Sequence, residues 1–255
     1  MAATDSETVK NGADPVTGLS WQSCGISHVG KVRKLNEDAM LERSDIGLWA
    51  VADGMGGHAA GDVASQMIVD SLKRVHEGTS LPKFVDEVED KLIDVNRRLI
   101  EKANEGDKPQ TIGSTVVALI TYHDYGVFLW AGDSRLYRWR DDRLQQLSTD
   151  HSQVEIYVEQ GLISREEATN HPHGNMITRA VGAADELCLD VDMCSLRQGD
   201  RFLLCSDGLT KHLTDLEIRD ILADGGTQEA TNYLIELTLR RRANDNVTAI
   251  VVDIT

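Results

Sequence analysis

Strand-length apolar runs in this chain repeatedly begin or end on an aspartate, and that recurrence limits its possible folds more than any other feature. Leu48-Trp49-Ala50-Val51-Ala52 reads as a buried strand that delivers Asp53 into a glycine-rich turn, Gly54-Met55-Gly56-Gly57-His58, with a helical stretch opening near Gly61. The run 125–130 leads to Asp133, Arg201-Phe202-Leu203-Leu204-Cys205 leads to Asp207, and the terminal run 247–254 follows Asp245. Glu37 and Asp38 stand at the entry to a fifth run, Ala39-Met40-Leu41. Taken singly, each Asp-Gly step is also an ordinary turn. Carboxylates carried to strand ends from segments so far apart can instead build a pocket for hard cations, which take oxygen ligands and suit Mg²⁺ or Mn²⁺. Without cations, so many acids would repel one another. Two such ions ~3.5–4 Å apart can share a hydroxide nucleophile and clamp a phosphoryl oxygen. Arg33 adds a planar donor that can grip a phosphate with two hydrogen bonds.

The overall charge agrees with cation binding and excludes one class of partner. The 255 residues carry 42 acids against 26 bases, a formal net charge of -16. A nucleic-acid groove demands clustered Lys and Arg, so no nucleic acid is expected as a partner. Cys24, Cys188, Cys194 and Cys205 form no Cys-x-x-Cys pair and no zinc spacing, and their neighbours predict buried, reduced thiols. The N-terminus has neither a basic start nor an apolar stretch, and no run approaches the ~20 apolar residues of a membrane span. A cytoplasmic protein without a membrane partner is the expectation.

Residues 1–18 are polar and aperiodic, which predicts a mobile tail ahead of one domain over 19–255. An edge strand is predicted over residues 20–27. Val63, Met67, Ile68 and Leu72 recur at helix spacing, as do Phe84, Val88, Leu92, Val95 and Leu99 after a Pro82 start. Residues 114–122 and 125–130 flank His123-Asp124 as a hairpin, and residues 136–139 and 143–147 flank a second turn. The strand rhythm breaks over residues 148–182, which read as a mobile lidding insertion. It holds a helix near residues 154–160 and a second started by the capping box Ser164-Arg165-Glu166-Glu167. His171-Pro172-His173 sets its rings on poor vectors for a metal. Thr214-Asp215-Leu216-Glu217 caps one helix, and residues 227–241 form another.

Other phosphate chemistries fail on the residues. No Gly-Lys-[Ser/Thr] follows the glycine-rich turn, so a P-loop is excluded, and no Gly-x-Gly-x-x-Gly occurs. No cysteine follows a histidine as a cysteine phosphatase requires. Asp190-Val191-Asp192-Met193-Cys194 approximates an aspartyl-phosphate motif, but its fifth residue is wrong, and a surface strand fits it better.

Six segments do appear in a recognisable order: Arg33 with Asn36-Glu37-Asp38; Asp53-Gly54-Met55-Gly56-Gly57-His58; Thr111-x-Gly113-Ser114-Thr115; Gly132-Asp133-Ser134-Arg135; Ser206-Asp207-Gly208; and Asp245-Asn246-Val247-Thr248. Together they resemble the metal-dependent protein phosphatase family, protein phosphatase 2C, in its compact bacterial branch. The resemblance implies an α+β fold, an α-β-β-α sandwich of two antiparallel sheets flanked by helices with a two-metal site at one edge. It implies that Asp53 bridges two Mn²⁺ or Mg²⁺ ions and that Gly54 offers its carbonyl to one. Asp207 and Asp245 would complete the other ion, while Glu37 and Asp38 would hold metal-bound waters. A third, weaker ion would fall to Asp133 and Asp207, and Arg33 would take the substrate phosphate. Residues 148–182 would be the family's flap, closed by the segment from Asn175 to Gly182.

The implied activity is hydrolysis of phosphoserine and phosphothreonine by direct attack of a metal-bound hydroxide, with no phosphoenzyme, opposing a Ser/Thr protein kinase. Met55 stands where some members carry a general-acid histidine, which leaves the proton donor unassigned, with His58 or a metal-bound water as alternatives. Two competing functions share these motifs: a pseudophosphatase that only binds phosphoproteins, and a hydrolase of small phosphate esters. Loss of a metal acid would favour the former, and none is lost.

Overall fold

Strands that are apolar on both faces need a cover on each side, and the chain supplies it with four layers. The structure is a computed structural model that describes residues 8–56, 60–105, 111–168, 171–174 and 176–255. His58 and Asn175, each given an expectation above, lie outside the described residues.

In chain order the elements are β1 (Lys10–Ala13), β2 (Ser20–His28), β3 (Asp38–Arg43), β4 (Leu48–Gly56), α1 (Ala60–Leu72), α2 (Leu81–Ala103), β5 (Ile112–Ser114) and β6 (Val116–Tyr122). They continue with β7 (Tyr125–Ala131), β8 (Arg135–Arg140), β9 (Arg143–Gln146), α3 (Gln153–Glu159), α4 (Arg165–Ala168) and β10 (Asp190–Ser195). The last are β11 (Arg201–Cys205), α5 (Asp207–Thr210), α6 (Asp215–Leu222), α7 (Thr227–Arg240) and β12 (Val247–Ile254). One sheet runs β1-β2-β12-β11-β8-β9 and the other β10-β7-β6-β4-β3, with β5 added to the end of β4. Every pairing among them is antiparallel. This is the α-β-β-α sandwich that the motifs implied.

The period-two alternation of a strand divides each run between two cores. In β4, Trp49 and Val51 join Val117, Leu119, Phe202, Leu204, Ile250 and Val252 between the sheets. Leu48, Ala50 and Ala52 point the other way, onto Ile68 and Leu72 of α1 and Phe84 and Leu92 of α2. On the far side Leu203, Cys205, Ala249 and Val251 meet Leu222 of α6 and Leu234 of α7. Each large side chain so buried contributes about 1.5–3 kcal/mol, which fixes the strand register. That register holds the chain ends of β4, β11 and β12 at one end of the sandwich.

Four expectations need correction. Residues 10–13, within the stretch read as a tail, form β1 and pair with β2, so β2 lies inside its sheet and β1 takes the edge. A polar sequence can do this because an edge strand needs only backbone partners and one covered face. The glycine-rich segment after Asp53 is no turn at its start: β4 continues through Gly56, with Gly54 opposite Ser114 and Gly56 opposite Ile112. A Cβ on Gly54 would sit 2.0 Å from the Gly61 carbonyl oxygen, so the glycine serves close packing of α1 on the strand. Finally, Cys24 and Cys205 are buried thiols as expected, but Cys188 is exposed and Cys194 half-buried.

The insertion at 148–182 leaves the first sheet after β9 and returns ahead of β10 in the second. Its two ends are tied together by a bridge between Ser152 and Ile177, and Val181 bridges to Ser114. The Ser164 box forms, with the Glu167 amide donating to Ser164 Oγ and the Ser164 amide to Glu167 Oε2.

Candidate active site

Antiparallel pairing is what gathers the acids. β3 starts where β4 carries Asp53, so Asp38 and Asp53 are direct register partners. β12 starts beside the end of β11, which brings Asp245 to Asp207. The segment after β7 adds Asp133. Arg33, Glu37, Asp53, Gly54, Asp133, Asp207 and Asp245 line one cavity of about 330 Å³, together with Met55, Thr115, Ile177, Lys211 and Asn246. Asp38 lies behind Asp53, nearly out of reach of solvent.

Buried polar side chains hold this frame. Asn246 accepts the Glu37 amide at 2.8 Å and donates to the Val29 and Leu35 carbonyls at 2.9 Å, which fastens the Arg33 loop to β12. Thr115 Oγ1 accepts the Asp53 amide at 3.1 Å and lies 2.7 Å from Ser134 Oγ, linking β4 to the Asp133 segment. His151, at the base of the insertion, exchanges backbone and ring hydrogen bonds with Gly132. Arg135 grips Asp150 with two nitrogens, at 2.9 and 2.7 Å, and donates to the Tyr137 hydroxyl. Gly208 keeps the start of α5 against β12, since a Cβ there would meet the Asn246 carbonyl oxygen at 1.8 Å.

The carboxylates themselves are short of donors. Asp38 Oδ2 accepts from Ser206 Oγ at 2.8 Å and Thr248 Oγ1 at 2.7 Å. Asp38 Oδ1 and Asp207 Oδ1 are buried and find no hydrogen-bond partner among the described residues. Asp38 is pushed up to about 7, by burial first and by the charges of Asp207 and Asp245, against the pull of the Thr248 and Ser206 hydroxyls. Burial and the charges of Asp38, Asp207, Asp133 and Asp245 hold Asp53 well above the usual carboxylate range. Asp133 is pushed up to about 7 by burial and by Asp207 and Asp150, against the pull of Lys211.

Hard cations fit such a donor set, because orphaned buried oxygens and mutual repulsion are what a divalent ion relieves. The geometry also shows what stands in for that charge. Among the described residues no three acid, His or Cys side chains converge as tightly as the ligands of a bound ion. Instead, two side-chain cations hold the lone pairs. Arg33 Nη2 lies 2.9 Å from Asp245 Oδ1. Lys211 Nζ lies 2.5 Å from Asp207 Oδ2 and 3.5 Å from Asp245 Oδ2. Burial lowers the Lys211 ammonium, but Asp207, Asp245 and Asp133 outweigh it and raise the group overall.

Sequence reasoning placed every acid of this cavity and missed Lys211. Its one signal was the spacing: four residues beyond Asp207, one helical turn on and on the same face. Asn246 and Thr115 stand within two of the six ordered segments but received no role from them, and Asp150 left no pattern, since a single polar residue carries no period.

Comparison with known proteins places this arrangement. The sequence profile of protein phosphatase 2C matches residues 24–244. The serine/threonine protein phosphatase PstP of Mycobacterium tuberculosis (strain ATCC 25618 / H37Rv) is 35% identical over 225 residues, which are 88% of this chain but only 43% of that protein. The chain thus spans under half the length of that relative. Among solved structures, PppA, described as a key regulatory component of T6SS in Pseudomonas aeruginosa, is 43% identical with a TM-score of 0.85, covering 92% of this chain and 98% of its own. The catalytic domain of PstP in complex with 2 manganese ions is 33% identical with a TM-score of 0.84, covering 93% of this chain and 99% of its own. A profile that spans the cavity's residues from Arg33 to Asp207, with structural agreement over 92% of the chain, leaves one conclusion: the chain belongs to the protein phosphatase 2C family.

Proposed function

We propose that this protein removes phosphate from phosphoserine and phosphothreonine in other proteins, using two Mn²⁺ or Mg²⁺ ions in the acidic cavity. The observation that carries it is the mutually repelling set of buried Asp38 and partly buried Asp53, Asp133 and Asp207, with carboxylate oxygens left unpartnered beside a guanidinium. Membership of the family and the manganese complex of the PstP domain support the same reading.

In this reading Asp53, Gly54, Asp207 and Asp245 hold the two core ions, Glu37 and Asp38 steady their water, and Asp133 with Asp207 takes a third, weaker one. When bound, such ions lower the pKa of water toward neutrality and offset charge on phosphoryl oxygens. The chain's own residues do the rest. Arg33 is half-exposed at the cavity mouth, and its planar fork can leave Asp245 for a phosphate that presents two oxygens. Asp38 is the register partner of Asp53 and is itself held by Ser206 and Thr248, so its charge acts on Asp53 from a fixed position. Ile177, at the closing end of the insertion, forms part of the cavity wall, so the insertion can contact the protein substrate.

The substrates would be products of Ser/Thr protein kinases, and such a kinase is the expected opposing enzyme. The same reading puts the activity in the cytoplasm, where the ATP that kinases use is held. No helix among the described residues is long and apolar enough to cross a membrane.

The test is phosphopeptide hydrolysis with a Mn²⁺ titration before and after exhaustive chelation. Turnover should vanish on chelation and return with Mn²⁺. Activity that survives chelation would end the two-cation reading, and turnover of small esters without phosphopeptides would end the protein-substrate one.

A further inference from the structure

Of the charged side chains that line the cavity, Lys211 alone has no part in the function proposed above. It follows α5 immediately, one turn beyond Asp207, and its side chain is 31% exposed. The ammonium reaches back to Asp207 Oδ2 and Asp245 Oδ2, and so spans two acids that come from different strands. These are the two carboxylates assigned above to one cation. Asp245 Oδ1 is engaged elsewhere, by Arg33 Nη2 and the Asn246 amide. Lys211 therefore sits on Asp207 Oδ2 and, more loosely, on Asp245 Oδ2, the oxygen of Asp245 that Arg33 leaves open to a cation, while Asp207 Oδ1 has no partner among the described residues. A lysine ammonium and a divalent ion on the same two carboxylates repel one another, for both are compact positive charges a few ångströms apart.

We propose that Lys211 is a tethered competitor for the divalent cation at Asp207 and Asp245, holding the cavity together without metal and setting the cation concentration at which it fills. The inference rests on the two-cation reading. Competition follows from the geometry in both directions: whatever stabilisation the ammonium gives the metal-free acids must be given up when an ion enters. Displacement is physically open to it. The lysine stem is four carbons long and partly in solvent, so the head can swing out without unfolding α5. An arginine or a backbone group in this place would be harder to move.

The test compares wild type, Lys211→Gln and Lys211→Arg by calorimetric Mn²⁺ titration and by thermal melting in chelator, neither of which needs turnover. Lys211→Gln should bind Mn²⁺ about tenfold more tightly, a typical strength for coupling between two sites. It should also melt at a lower temperature than wild type in chelator and regain the difference when Mn²⁺ is added. Lys211→Arg keeps the charge on a head that is harder to move, so it should melt like wild type in chelator and bind Mn²⁺ no more tightly than wild type. An Mn²⁺ Kd for Lys211→Gln equal to or weaker than wild type would overturn the proposal. So would an unchanged Kd with a raised KM for phosphopeptide, which would assign Lys211 to the substrate. Failure of wild type itself to take up Mn²⁺ would instead defeat the two-cation reading, and the comparison of Kd values keeps the two outcomes apart.

Discussion

Asp14 and Asp38 are each 7% exposed, yet Asp14 ionises at about 2 and Asp38, the more deeply enclosed of the two, at about 7. Burial raises both. At Asp14 it is outweighed by the amides of Thr17 and Val16, at 2.9 and 2.7 Å, and by the amide and ring of His123, both at 2.9 Å. Asp38 has two hydroxyls on one oxygen, nothing on the other, and acids for neighbours. A carboxylate surrounded by donors stabilises a fold, whereas one left short of donors is a place for a ligand.

The same contrast runs along single strands. β11 and β12 carry Arg201 and Asp253 at one end, joined by two hydrogen bonds, with Asp253 also accepting from Thr227. Next to them Asp200, almost fully buried, is held by both the Arg140 fork and the Arg197 amide. At the opposite end the same strands lead to Asp207 and Asp245, where repulsion is only partly offset by Lys211 and Arg33. One end of the sheet is finished by the chain itself. The other is left with charge that the chain only partly balances.

The strongest way to break this comparison is Asp53→Asn. The amide is nearly isosteric and leaves the backbone bonds to Thr115 and Ser114 in place. Phosphopeptide turnover should fall more than a hundredfold, a loss above about 3 kcal/mol of transition-state stabilisation. The same variant should melt higher than wild type in chelator, because one repelling charge is gone. A residual rate above one-hundredth, or a lower melting point, would contradict the assignment of Asp53 to the unfinished end.

Asp14→Ala should show the reverse pattern, with turnover retained and stability reduced by about 1–3 kcal/mol as buried amides lose their acceptor. Chemical denaturation reads the loss directly. The pH dependence has a defined sign. The folded pKa of about 2 lies below the unfolded value of ~3.9, so the contribution is fully present above the latter and disappears as pH falls through the former. Wild type should therefore lose stability across that acid window more steeply than Asp14→Ala does. Parallel curves would remove Asp14 from the stabilising set.

The smallest effect belongs to an exposed pair. Arg97 reaches Asp94 and Glu101 on the outer face of α2, where solvent screens the charges. Arg97→Ala should leave both melting temperature and turnover unchanged within error. A measurable loss would show that pairing alone, without burial, stabilises this fold.

The apolar runs and the motif order were legible in the sequence because both are local. A strand's period and a helix's spacing are written in consecutive residues, so β4, β6, β7, β11, β12, α2 and α7 could be read directly. The acids of the cavity could be named because each sits at the end of such a run. Partners could not. That β1 pairs with β2, that Asp14 meets His123, and that Arg33 and Lys211 both reach Asp245 depend on contacts between segments far apart in the chain. The start of the glycine-rich segment misled for the same reason: composition marked a turn, while pairing with β5 and the close approach of Gly61 kept Gly54, Met55 and Gly56 in a strand. The sequence determined which residues are charged and which are apolar, and hence the layers. Only the tertiary structure decided which charges have partners, because a carboxylate's environment is built by whatever the fold brings to it.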